Sequence, residues 1–92
     1  MKSIYKYILQ DADVQSVSMP EGAKILCVQV QYGAACLWAE VDTDKPSVDR
    51  TIEMFGTGYE MRCDMGIERQ YIGSYQLIGG ALVFHVYENL GA

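Results

Sequence analysis

The chain has 92 residues, half of them hydrophobic and 11% aromatic, with twelve acidic against seven basic side chains for a net charge of -5. That length holds one modest core, so residues 1–92 are expected to fold as a single β domain. An acidic chain has the wrong sign for phosphate-led affinity, which argues against direct nucleic-acid binding, and the apolar runs are too short for a membrane helix.

Taken in order, Ser3 to Leu9 (SIYKYIL) is rich in β-branched and aromatic residues and reads as a strand, with Lys6 marking it as an edge. Gln10 to Asp13 reads as a turn. A weaker strand from Val14 to Met19 leads into Met19-Pro20-Glu21-Gly22, where proline at the second position predicts a type I reversal. Lys24 to Gln31 and Ala34 to Asp42 flank Tyr32-Gly33. A two-residue loop there pairs Val30 with Ala35, Val28 with Leu37, Leu26 with Ala39 and Lys24 with Val41, and places Cys27 opposite Trp38. Nearly all aliphatic side chains then share one face. The other face carries Ile25, Cys27, Gln29, Gln31, Ala34, Cys36, Trp38 and Glu40.

Asp42 to Asp49 contains Pro46 and reads as a loop before a strand from about Arg50 to Phe55, ended by Gly56-Thr57-Gly58. Tyr59 to Glu68 shows no clean period and predicts an irregular segment, a place where binding residues can sit on a rigid scaffold. From Arg69 to Glu88 two alternating runs flank Gly79-Gly80. A two-residue loop pairs Ile78 with Ala81, Leu77 with Leu82, Gln76 with Val83, Tyr75 with Phe84 and Ser74 with His85. One face then holds Tyr71, Gly73, Tyr75, Leu77, Leu82, Phe84 and Val86 as core. The other holds Ile72, Ser74, Gln76, Ile78, Ala81, Val83, His85 and Tyr87. Six to seven short strands built on two tight hairpins predict an all-β fold, a small antiparallel sandwich or barrel.

The chemistry-bearing residues are sparse. His85 opposite Ser74 suggests a hydrolase, but there is no nucleophile elbow and no acid to orient the imidazole, so no catalytic residue is assigned. Cys63, Asp64 and His85 lack the paired spacing of a metal site, and no metal or other cofactor is expected. Gly56-Thr57-Gly58 is a fragment of a phosphate loop without its lysine or helix, and reads as a strand-ending turn. Three cysteines, Cys27, Cys36 and Cys63, show no CxxC spacing and follow no signal-like segment, which suits a reducing cytoplasm; Cys27 and Cys36 sit too far apart diagonally for a disulfide. Trp38 is set among side chains too polar for a simple core and too apolar for free solvent. That position suits either an interface or burial in the second layer of a sandwich.

Several segments carry a resemblance across the chain: IYKY at Ile4 to Tyr7, PEGAKIL at Pro20 to Leu26, VQVQ at Val28 to Gln31, CLWAEVD at Cys36 to Asp42, GTG at Gly56 to Gly58, YIGSYQ at Tyr71 to Gln76 and GGALVFHVYE at Gly79 to Glu88. In these the chain resembles a family of short uncharacterised proteins of tailed bacteriophages and prophages. The resemblance implies a cytoplasmic setting in a bacterial host, and transfers no activity to any residue.

Three functional expectations follow. The first is a non-enzymatic phage accessory protein that binds a bacterial host or antiphage-defence component through Trp38, Glu40, Asp42 and Asp44. The second is an oligomeric sponge for a nucleotide-like signal, with Tyr59, Arg62, Arg69, Gln76, His85 and Tyr87 supplying cations and stacking surface. The third is a virion or assembly component.

Overall fold

A computed structural model of the protein describes residues 1–61 and 66–91. Strands β1 (Lys2–Ile8), β2 (Val14–Pro20), β3 (Lys24–Gln31), β4 (Ala34–Asp42), β5 (Ser47–Gly56), β6 (Glu68–Leu77) and β7 (Leu82–Gly91) follow one another, with a short 3-10 turn, Ile78–Gly80, between the last two. They form a three-stranded sheet of order β1-β4-β3 and a four-stranded sheet of order β2-β5-β7-β6, antiparallel at every pairing. The two sheets pack together as a small all-β sandwich, one of the two architectures, sandwich or barrel, that the strand spacing predicts. Alternation along each strand turns one row of apolar side chains inward: Val28, Leu37, Ala39 and Val41 from one sheet meet Met19, Ile52, Met54, Tyr75 and Val86 from the other. Tyr75 donates to Met54 Sδ at 3.0 Å, and burial pushes its phenol up from the ordinary value.

Both hairpin registers hold near their turns. Val30 pairs with Ala35, Val28 with Leu37 and Cys27 with Trp38, around a loop in which Tyr32 and Gly33 both have positive φ. Leu77 pairs with Leu82, Gln76 with Val83, Tyr75 with Phe84 and Ser74 with His85. The expected Ile78·Ala81 pair is absent from the ladder. Ile78 adopts φ 53 and the amide of Ala81 donates to its carbonyl, so Gly79 and Gly80 make the tight turn while the loop opens to four residues.

Further from the turns the ladders shift register three times, once between Glu68 and Arg69 at the end of β7 and twice, in β3 and β6, in ways that correct the face assignments. In β3 the register shifts between Ile25 and Cys27, so Ile25, not Leu26, opposes Ala39 and packs on the core, and Lys24 opposes Glu40 rather than Val41. In β6 the shift between Tyr71 and Gly73 sends Ile72 inward and Tyr71 outward, the reverse of a regular alternation. Each bulge adds one residue and inverts the faces beyond it. Gly73 lies in close contact with β3: a Cβ there would meet Val28 Cγ1 at 3.0 Å, so a larger residue would require Val28 to shift.

Two boundaries also differ. The reversal after β2 is centred on Glu21 and Gly22, with the amide of Ala23 donating to Pro20 and Gly22 at φ 77, one residue later than expected and of the type II kind. Strand β5 begins at Ser47, so the loop expected over Asp42 to Asp49 is confined to residues 43–46.

Two charged groups lie against the core. Arg50 and Glu88 both fall on inward-facing rows, where Arg50 Nη2 donates to Glu88 Oε1 at 2.9 Å and Arg50 Nε to the other oxygen. Arg50 Nη1 reaches the connection between β2 and β3, donating to the Ala23 carbonyl at 2.9 Å beside Met19 Sδ. The bonds to Glu88 raise the guanidinium's affinity for its proton against the opposing effect of burial.

On the outer face of the three-stranded sheet, Cys36 is only 1% exposed. Lys6 on β1 donates to Gln31 on β3 at 2.9 Å, a link that crosses the intervening strand above this thiol. Cys27 and Cys36 are both free thiols. Lys6→Ala should therefore raise the alkylation rate of Cys36 several-fold while leaving that of half-buried Cys27 near its wild-type value, as followed by peptide mass spectrometry. Equal rates in both proteins would show that the link does not shield the thiol.

Candidate functional site

Two outward faces collect the candidate residues. On the four-stranded sheet, the bulge in β6 brings Tyr71 into line with Ser74 and His85. Tyr71 Oη lies 2.6 Å from Ser74 Oγ, Ser74 Oγ lies 2.7 Å from His85 Nδ1, and His85 Nε2 lies 2.7 Å from Thr57 Oγ1. Thr57 Oγ1 also donates to the Val83 carbonyl at 3.4 Å. One consistent direction runs from the Tyr71 hydroxyl through Ser74 to Nδ1 of a neutral imidazole, then from its Nε2–H through Thr57 to the carbonyl. A serine nucleophile needs a base oriented by an acid, and here the far imidazole nitrogen meets a hydroxyl.

Beside this row Tyr87 stands edge-on between Tyr71 and Phe55, with ring centroids 5.2 and 5.7 Å away. Arg69 sits over the Phe55 ring at 5.7 Å and donates from Nε to Glu53 Oε1 at 2.8 Å. Glu53 is 1% exposed although it lies on the outer face of β5, so its carboxylate is desolvated and held by Arg69. Gln76, His85 and Tyr87 therefore share one face, as expected. Arg69 joins them, but its charge is committed to Glu53 and to an aromatic ring. Tyr59 stands apart, its ring packed over Gly56. Arg62 lies outside the described residues, as do Cys63 and Asp64.

Sequence reasoning misses Glu53, Phe55 and Thr57. Glu53 and Phe55 share a strand face with each other, and an acid two residues from a buried aromatic is the one local signal that this face is covered.

On the three-stranded sheet, Trp38 is half-buried on the outer face, opposite Cys27 on one side and Lys6 on the other, and not between the layers. Ile4 and Ile8 flank it on the same face at 61% and 64% exposure. An acidic rim lies at one end. Glu40 is 3.6 Å from Lys2 Nζ, and the Met1 amine donates to Asp42 at 3.1 Å and to Asp44 at 2.6 Å. Asp42 accepts from the Asp44 backbone N–H and from that amine, which holds its carboxyl below the ordinary range.

A third feature is an open concavity of about 400 Å³ where the Asp11–Asp13 turn meets the Gly79-Gly80 hairpin. Its walls include Met54 and the core-face residues Tyr75, Leu77, Leu82 and Phe84, and none of the described candidate binding residues lines it.

Among the described residues no helix is long and apolar enough to cross a membrane. No curated protein and no solved structure matches the chain. A family model, described as a domain of unknown function (DUF7352), matches residues 1–91, and with that coverage the chain belongs to the DUF7352 family.

Proposed function

We propose that the protein is a non-enzymatic bacteriophage accessory protein, acting in the bacterial cytoplasm by binding a host or antiphage-defence protein through the outer face of its three-stranded sheet. The observation that carries this reading is the exposure of Ile4 and Ile8 on either side of Trp38. Large apolar groups on an otherwise solvated sheet face are the usual core of an interface, and a tryptophan among them is the usual anchor. The rim of Glu40, Asp42 and Asp44, with the net charge of -5, suits a basic partner. The phage setting is supported by the sequence resemblance.

The test is capture from lysate of a susceptible bacterium by the immobilised chain. Wild type should recover a discrete protein, and Trp38→Ala should reduce its recovery about tenfold or more while circular dichroism stays unchanged. Asp44→Lys should weaken capture less and make it less dependent on salt. Recovery of nothing above background, or recovery by both variants equal to that of wild type, would overturn the reading.

The alternative, an oligomeric sponge for a nucleotide-like ligand, draws support from the shared face of Gln76, His85, Tyr71 and Tyr87, which offers hydrogen bonds beside stacking surface. The pairing of Arg69 with Glu53 counts against an anion there. Native mass spectrometry of the untreated protein, with and without added nucleotides, separates the two.

A further inference from the structure

The four outermost strands differ in how their free edges are treated. Strands β3 and β6 lie next to each other across the sandwich, and each carries a bulge. In β2 the groups directed away from β5 belong to Val14, Ser16, Ser18 and Pro20, because Met54 donates to the Asp13 carbonyl and so sets the alternation. Proline has no N–H to offer, and the two serines make that row polar.

The edge of β1 has none of these features. The Leu9 amide donates to Ala35 and the Thr43 amide to Met1, so the odd-numbered residues of β1 bond to β4. Lys2, Ile4, Lys6 and Ile8 direct their N–H and C=O groups outward. Among the described residues β1 forms a ladder with β4 alone, while its Tyr7 packs into the core, and the strand is regular, with neither bulge nor proline. Lysines commonly guard such an edge, but here Lys6 is turned across its own sheet to Gln31 and Lys2 toward Glu40.

We propose that this edge is the docking site for a second copy of the chain. The two β1 strands pair antiparallel about a two-fold axis through Tyr5, which joins the three-stranded sheets into one sheet of six strands. The register follows from charge and alternation. Centring on Ile4 sets Lys2 against Lys6, and centring on Lys6 sets that lysine against its own copy; both oppose like charges. Centring on Tyr5 pairs Ile4 with Lys6 of the second copy and Lys2 with Ile8 of the second copy, uses all seven residues of the strand, and brings every outward N–H and C=O into a hydrogen-bonded pair. The two Tyr5 rings then meet at a closely spaced position on the inner side, where Tyr5 is exposed in the single chain. Pairing leaves Trp38, Ile4 and Ile8 on the outer face, so the assembly does not depend on the host-binding reading.

Sedimentation velocity and light scattering on the full chain over roughly 1 to 100 µM test it. Wild type should run at twice its chain mass in the upper part of that range. Ile4→Lys places lysine opposite Lys6 of the second copy twice over and should raise the dissociation constant about tenfold; Ile4→Glu loses the same isoleucine but opposes a lysine, and should leave it unchanged or lower. Lys6→Pro removes an outward N–H without touching the ladder to β4, and should give a folded monomer. Wild type that stays monomeric throughout overturns the proposal, as do Ile4→Lys and Ile4→Glu variants that weaken association equally.

Discussion

Glu88→Ala should lower the unfolding free energy by about 3 kcal/mol, which for a domain of this size is a fall in Tm of about 12 to 24 °C. The loss exceeds that of a surface ion pair because the removed carboxylate leaves Arg50 charged and partly buried at the end of the core, with the Ala23 carbonyl as its remaining oxygen partner among the described residues. Arg50→Ala should cost a similar amount, since it strands a buried carboxylate and also cuts the described side-chain bond from Arg50 to the β2–β3 connection. The double change Arg50→Met with Glu88→Leu tests whether charge itself is required. A buried pair replaced by apolar groups of similar volume is often neutral or better, so the double variant should regain most of the loss. Urea denaturation of all four proteins reads this directly. A Glu88→Ala variant within 1 kcal/mol of wild type would mean that Arg50 relaxes into solvent.

Leu37→Ala should be of the same order, a loss of about 3 to 4 kcal/mol. Leu37 is 0% exposed, opposite Val28 in the ladder, and belongs to the cluster that includes Ile52, Met54, Tyr75 and Val86 from the facing sheet. A cavity opened there is lined by β-strands fixed by ladders on both sides, which limits collapse and puts the cost in the middle of the range for such truncations. Leu37→Met keeps the volume and should cost less than about 1.5 kcal/mol. If the alanine variant lost less than 1 kcal/mol by urea denaturation, the two sheets would be able to close on the gap.

What could be read from the chain follows the reach of each signal. Turn chemistry and alternation are local, so Tyr32-Gly33 and Gly79-Gly80 set the register from Val30·Ala35 and Leu77·Leu82 outward, including Ser74 with His85, although the loop at the second opens to four residues. Bulges are not local. They arise where β3 and β6 approach each other across the sandwich, and nothing in the neighbourhood of Leu26 or Ile72 announces the extra residue. The same distance hides the charged pairs. Arg50 and Glu53 read as the polar positions of a half-exposed strand because their partners, Glu88 and Arg69, lie 38 and 16 residues further on. The hydroxyl row was half legible for this reason: Ser74 and His85 are cross-strand neighbours, whereas Tyr71 joins them only through the bulge and Thr57 only through the arrival of β5 beside β7.

The two bulges also determine where this chain tolerates a change of length. Each bulged strand holds one residue more than its pairing requires. Deleting Ile72 from β6 would bring Tyr71·Tyr87 and Gly73·Val86 into one continuous register, and deleting Leu26 from β3 would do the same for Ile25·Ala39 and Cys27·Trp38. Every other side chain would keep its face. A deletion at another point in either strand would turn part of the core row outward. Single-residue deletions at these two positions therefore cost one side chain's packing rather than the register of a sheet.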